Sequence, residues 1–269
     1  QDTEFDKNYL DNLKIKRFGG IKFFRKRNKN KELKKIISFH SVKAIISDSW
    51  KSLEIPIKKI NNNKFPFFCL VHGNEIIIKN KSHHNKLLNI FSKVDKLICN
   101  SEFTKNLMNK ISPSFNQLEV IYPGIANLNK IKEKEVNLIS GTPILLTLAR
   151  LEKRKGHEFI LQAISKIKKQ YPKICYIIAG DGKEKSNLIS LTTELNISRN
   201  VIFIGSVSDN QKKYIFNKTD IMVMPTLDKT DKLSIEGFGI SYIEAALFGI
   251  PSIASNVGGT KEAVLHNKT

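Results

Sequence analysis

From Ile144 onward, five apolar runs of strand length alternate with helical patterns, and few chain folds accommodate such a rhythm. The runs are Ile144–Leu148, Ile174–Ala179, Val201–Ile204, Ile221–Met224 and Ser252–Ala254. Helices are expected at about His157–Lys169, Glu184–Leu195, Asn210–Asn217, Gly239–Phe248 and from Thr260 onward. Short, nearly continuous apolar strands separated by amphipathic helices predict βαβ units and a parallel sheet covered on both faces.

The first half repeats the rhythm less clearly, with strands expected at Val42–Ser47, Phe65–Val71, Val94–Cys99 and Leu118–Tyr122. Helical patterns run over Lys29–Phe39, His83–Lys93 and Phe103–Ile111, the last with Ser101 as its N-cap. About four strands are too few for a complete doubly wound domain. A length of 269 residues suits two domains. The polar stretch Ala126–Thr142 lacks a strong period and reads as the linker, giving domains 1–126 and 127–269. Residues 1–13 give no element, and the chain stops at Thr269 just inside a helix. A fragment cut at both ends, with an incomplete N-terminal domain, is the expectation.

No apolar run approaches the ~20 residues that a membrane span needs. Cys69, Cys99 and Cys175 each sit inside an apolar run without metal-ligand spacing, which reads as buried thiols in a reducing compartment. The formal charge of +20 is concentrated toward the N-terminus. Lys14–Lys35 holds eleven basic residues and one acid, Glu32, interleaved with Phe18, Phe23 and Phe24. Cations beside aromatics suit an anionic lipid surface, where each charge is worth about 1 kcal/mol. A merely solvated basic face is the equal alternative. Nucleic acid is a third candidate, set aside because no recognised binding module accompanies the charge.

The residues that carry chemistry cluster after the predicted strands. Arg150 lies just beyond Ile144–Leu148, and Lys155 follows in the loop before the helix at His157, a pairing suited to a diphosphate. Gly180, Asp181 and Gly205 follow the next two strands, where a ligand can approach backbone closely. Tight strand-to-helix turns account for the glycines equally, and Asp181 is either structural or part of a pocket floor. Glu236, Gly237, Phe238, Gly239 and Ile240 combine a carboxylate with a small-residue loop before a helix, so backbone amides can face an anion while the carboxylate accepts from sugar hydroxyls. Glu244 suits a ribose, or else completes a capping box begun by Ser241. His72 ends a strand of the first half, and Asp48, Ser49, Asn100 and Ser101 share that strand-end position.

Together, LLTLARLEKRKGHEFILQAI, YIIAGDG, VIFIGSVS, DIMVMPT and EGFGISYIEAALFGIPSIASNVGGTKEAV resemble glycosyltransferase family 4 in their order and spacing over residues 118–269. The first half is similar through IISDSW, FFCLVHGNE, LICNSEFTKNLM and VIYPGI, and the wording looks closest to bacterial mannosyltransferase-like members. The resemblance implies the α/β GT-B fold, two Rossmann-like doubly wound parallel-sheet domains facing a cleft. It also implies a retaining transferase that uses a UDP- or GDP-linked sugar and no metal or other cofactor. Arg150 and Lys155 would hold the diphosphate, Glu236 the transferred sugar, and the amides of Gly237, Phe238, Gly239 and Ile240 the phosphates and sugar. Glu244 would bind the ribose, and His72 would approach the sugar from the other domain. Gly180, Asp181 and Gly205 complete the expected donor pocket.

The acceptor is expected to be a lipid-linked or polysaccharide hydroxyl, with the protein in the cytoplasm or peripheral on the inner face of the cytoplasmic membrane. An epimerase or hydrolase of the same architecture is the alternative enzyme. A basic membrane-surface module without catalysis is the non-enzymatic alternative. The family's opening strand with its glycine-rich loop, and its C-terminal helix returning to the first domain, have no counterpart here.

Overall fold

The structure is a computed structural model and describes residues 14–59, 65–136, 140–228 and 234–268. In the first half, helix α1 (Lys22–Phe39) precedes β1 (Ile45–Ser47), the short helices α2 (Trp50–Leu53) and α3 (Pro56–Lys59), and β2 (Phe67–Val71). Then come α4 (Lys81–Phe91), β3 (Lys96–Cys99), α5 (Glu102–Ile111) and β4 (Leu118–Val120). In the second half, β5 (Ile144–Leu148), α6 (His157–Ile167), β6 (Cys175–Ala179), α7 (Lys185–Glu194) and β7 (Val201–Gly205) alternate. They are followed by α8 (Asp209–Lys218), β8 (Ile221–Met224), α9 (Ile240–Leu247), β9 (Ser252–Ala254) and α10 (Thr260–Ala263).

The strands form two parallel sheets, ordered β1-β2-β3-β4 and β7-β6-β5-β8-β9. In the second sheet the order reverses at β5, so the chain leaves β5 and β8 on opposite sides of a crevice at their carboxyl ends. That switch point is where open α/β sheets receive ligands.

The two sheets differ in cover. Every residue of β6 is buried, and separate apolar clusters lie on the two faces of its sheet, as continuous apolar strands predict. In β2, by contrast, Phe67, Cys69 and Val71 are buried while the residues between them are only partly so. Ile46 of β1 stays 69% exposed. The first sheet is therefore less fully covered on one face than the second. All three cysteines are free and buried on strands.

Helix α1 begins seven residues earlier than the hydrophobic pattern suggested, because it takes in much of the basic stretch. It buries no residue. Lys26 donates to Glu54 at 2.8 Å and fastens it, and Lys86 of α4 pairs with the same carboxylate. These two ammonium groups pull the Glu54 carboxyl down to about 2, against the opposing effect of burial. Phe23 and Phe24 remain exposed. Among the described residues no helix is long and apolar enough to cross a membrane.

The stretch expected to be a polar linker is partly core. Leu128 is fully buried in the second half, with Ile131 and Val136 packed beside it. Lys213 of α8 donates to the carbonyls of Asn129 (3.0 Å) and Ile131 (2.8 Å). Three well-spaced apolar residues in a polar segment were enough to dock it, below the threshold of any helical or strand period.

Candidate functional site

The carboxyl ends of both sheets meet at a cleft of about 560 Å³, with His72, Asn74 and Asn100 on one wall and the loops after β5, β6 and β7 on the other. A larger groove of about 1070 Å³ runs along β9 and α10 and contains none of the predicted site residues.

Glu236 is the electrostatic centre of the cleft. After β5 the chain turns through a short 3-10 segment, Lys153–Lys155, which ends at Gly156 with φ +72°. That turn buries Arg154 and Lys155 to 7% exposure each. Lys155 Nζ donates to Glu236 Oε2 at 2.6 Å, and Arg154 Nη1 donates to the same oxygen at 2.9 Å. Glu236 Oε1 has no partner among the described residues and is open to accept from a ligand hydroxyl. Arg154 Nε reaches Glu152 at 3.1 Å, and Glu152 in turn pairs with Arg150 at 2.7 Å. The result is a chain of alternating charge that ends at Arg150, whose side chain is 68% exposed.

Burial alone would raise the carboxyl pKa of Glu236, but Lys155 and Arg154 together outweigh it and hold the group below its ordinary value. For Lys155, loss of solvent outweighs the attraction of Glu236 and draws the ammonium below its usual range. The two short bonds to one carboxylate oxygen are of the charge-assisted kind. With Glu152 and Arg150 included, the linked group holds three cations against two carboxylates, a surplus positive charge at the cleft.

Beyond Glu236 the chain enters α9 through Gly239, at φ +103°, and no side chain caps that helix. Tyr242 N is taken by the Gly239 carbonyl at 3.1 Å, which leaves the amides of Ile240 and Ser241 for an anion. This geometry also bears on the capping reading of Glu244. Ser241 lies inside the helix and is not its N-cap, so the capping-box reading is overturned. Glu244 instead accepts from Lys212 Nζ at 2.8 Å on the cleft wall. Burial works against the Lys212 ammonium, but Glu244 and Asp209 more than offset it and raise its pKa.

The loop beneath Arg150 and Lys155 is held by neutral hydrogen bonds. His157 Nδ1 and the Tyr176 hydroxyl lie 3.2 Å apart, Tyr176 bonds Thr147 at 2.8 Å, and Thr147 donates to the Val223 carbonyl. Burial pulls the His157 imidazole down to about 4, so it is neutral at pH 7.

Of the predicted residues, Arg150, Lys155, Gly180, Glu236, Gly237, Phe238, Gly239, Ile240, Glu244 and His72 all line the cleft. His72 Nε2 is 3.0 Å from the Asp48 carbonyl and 3.2 Å from its carboxylate, so a strand-end neighbour orients the ring. Asp181 and Gly205 do not line it. Asp181 closes its own turn by accepting from Gly182 N at 2.8 Å, and its side chain is exposed beside Lys185. Gly205 serves the backbone, its carbonyl accepting from Gly180 N at 2.7 Å. Arg154, Lys212 and Asn74 line the cleft as well, with no sequence signal that singles them out. Arg154 stood in plain view beside Lys155, but only the tight turn after β5 shows that consecutive residues can aim at one oxygen.

Two parallel α/β halves whose strand ends close on a single cleft define the GT-B class of glycosyltransferase architecture. Solved structures agree in fold: HepE of Anabaena, in complex with UDP and glucose, superposes with a TM-score of 0.71 at 19% identity over 93% of this chain and 68% of its own. A glycosyltransferase from Rickettsia africae gives 0.73 at 20% identity over 98% and 71%. Residues 129–269, just over half of the chain, match the model for glycosyl transferases group 1, and the chain belongs to that family.

Among curated relatives, a GDP-mannose-dependent alpha-(1-6)-phosphatidylinositol monomannoside mannosyltransferase of Mycobacterium tuberculosis is 32% identical over 127 residues. The match takes in 47% of this chain and 33% of that protein. The O-antigen biosynthesis glycosyltransferase WclY of Escherichia coli is 33% identical over 144 residues, 51% of this chain and 37% of that one. The chain thus matches about a third of the length of these curated relatives.

Proposed function

We propose that this chain performs retaining glycosyl transfer of the family 4 type, moving a hexose from a nucleotide sugar to a hydroxyl of a lipid-linked or glycan acceptor in envelope glycan synthesis. The observation that carries the reading is the pairing of a buried Glu236 with Lys155 and Arg154 directly before the uncapped start of α9. A carboxylate for sugar hydroxyls and open amides for phosphate stand side by side there. The mycobacterial relative's use of GDP-mannose favours a GDP-linked mannose-type donor.

In this mechanism the α9 amides and Arg150 receive the diphosphate, Glu244 takes the ribose hydroxyls, and Glu236 Oε1 accepts from the sugar. His72 approaches the sugar from the opposite wall. As the bond from the anomeric carbon to the phosphate oxygen breaks, charge grows on that phosphate. Fixed cations and amides already aimed at that phosphate stabilise it more than freely reorienting water would. The acceptor oxygen bonds to the anomeric carbon on the face the phosphate leaves, and its proton passes to the phosphate. The cations take the place of a divalent metal. Domains 1–126 and 127–269 would contribute the acceptor and donor walls.

Ligands that bind only the folded state raise apparent stability. GDP-mannose or UDP-glucose is therefore expected to raise the melting temperature of the protein. Glu244→Ala should weaken that ligand roughly ten-fold, about 1.4 kcal/mol, without destabilising the ligand-free protein through a lost cap. If no nucleotide sugar shifts the wild-type transition, the reading fails. Release of free sugar without an acceptor would indicate a hydrolase in its place.

The exposed basic helix α1, with Phe23 and Phe24 beside its cations, would hold the protein at the anionic inner face of the cytoplasmic membrane. Sedimentation with phosphatidylglycerol vesicles should therefore exceed that with phosphatidylcholine and fall as salt rises. Equal sedimentation with both would remove the membrane role.

A further inference from the structure

Three contacts tie the Glu236 loop to the first half. Ile235 N donates to Asn74 Oδ1 at 2.6 Å, Ser101 Oγ donates to the Gly237 carbonyl at 2.6 Å, and Phe238 stacks on Tyr122 with ring centroids 5.4 Å apart. A fourth runs in the opposite direction. Glu262, on α10, spreads its carboxylate across the start of α5: Oε2 accepts from Glu102 N at 2.7 Å and Oε1 from Phe103 N at 2.8 Å.

The amides of α5 can be accounted for one by one. Its own N-cap, Ser101, accepts from Thr104 N at 3.0 Å and leaves the two preceding amides open. Those are the two that Glu262 takes. A helix with a local cap and an amphipathic face does not need a distant carboxylate in order to form. What the contact does fix is the placement of one half against the other, through two charge-assisted bonds at the positive end of a helix.

We propose that Glu262 is a latch that holds the two halves closed over the Glu236 loop, a positioning residue that touches neither donor nor acceptor. Its consequence for catalysis rests on the function proposed above, whereas the latch itself does not. With Glu262 in place, α5 and the Glu236 loop form one continuous wall. Without it the halves separate more often, and Asn74 and Ser101 lose their partners in that loop.

The test uses the full chain with spin labels at Lys110→Cys and Lys169→Cys, exposed positions on the two halves, the native cysteines being buried. Pulsed electron resonance on the unmodified background should show one dominant distance. Glu262→Ala should raise the ratio of the separated to the closed population about ten-fold, in line with the loss of a strong helix cap. Glu262→Gln keeps one acceptor oxygen and should fall between the two. Hydrogen exchange at Glu102 and Phe103 should speed up in the same order while the rest of α5 stays protected. A distance distribution in Glu262→Ala identical to that of the parent overturns the latch. If that variant does not fold, Glu262→Gln decides by the same criterion. These readouts need no nucleotide sugar, so a failure of donor binding in the parent would count against the transferase reading and leave the latch standing.

Discussion

Lys155→Met is expected to lower the turnover of sugar transfer by about 10²–10³, the usual loss when one preorganised charge is removed from a developing anion. Methionine matches the length of the lysine stem and suits the contact with Met224, whose sulfur lies 3.7 Å from Lys155 Nζ. Arg154 remains on Glu236, so the fold should persist. The pH profile supplies a second readout. Lys155 is the principal charge lowering the Glu236 pKa, and without it that pKa rises. The acid limb of activity should then move to higher pH, because a group with a depressed pKa loses its ionised form only below that value. Undiminished turnover in a folded Lys155→Met protein would remove Lys155 from the mechanism. Glu236→Ala is the less clean experiment. It leaves two buried cations without their carboxylate, a loss of about 3–5 kcal/mol in stability, so Glu236→Gln is the better partner variant.

Gly237→Ala should be nearly as damaging, for a different reason. Gly237 is outside the left-handed region, so alanine meets no backbone strain. An added Cβ would instead run into the His72 carbonyl and lie 2.9 Å from Asn100 Nδ2, both on the opposite wall of the cleft. Each half can fold with alanine there, but the two cannot approach fully. Turnover should fall by two orders of magnitude or more, since small misplacements of reacting groups carry penalties of that size. The melting temperature should change little. Scattering should report a larger radius of gyration than the parent shows. A Gly237→Ala protein with parental scattering and parental turnover would contradict the close approach of the walls.

The second half was legible because a parallel sheet covered on both faces writes itself as continuous apolar runs. Ile144–Leu148, Ile221–Met224 and Ser252–Ala254 begin and end where the pattern put them. The first half was harder. Its β2 alternates buried and partly buried residues instead of running continuously apolar inside the core, and α1, which buries nothing, follows no apolar stripe. At the site, residues placed by strand ends, such as Arg150 and His72, could be named in advance. Partners that depend on the two halves meeting could not. Glu262 and Glu102 are 160 positions apart, and no local pattern links them. For Asp181 the structural alternative holds: its carboxylate accepts from Gly182 N and its carbonyl from Leu151 N, and it stays off the cleft. Glu244 fitted two local templates equally; the helix start at Gly239 excludes the cap, and its pairing with Lys212, a residue on another helix, had no local signal.

The surplus positive charge around Glu236 bears on the life of the protein in a cell. On the proposed reading, the linked charges of the cleft are three cations against two carboxylates, and the donor diphosphate relieves that imbalance. Occupancy and folding are then one linked equilibrium. Proteolysis that acts on the transiently opened chain follows the population of that form. The abundance of this protein would therefore track the supply of its sugar donor, and a starved cell would clear the transferase it cannot feed.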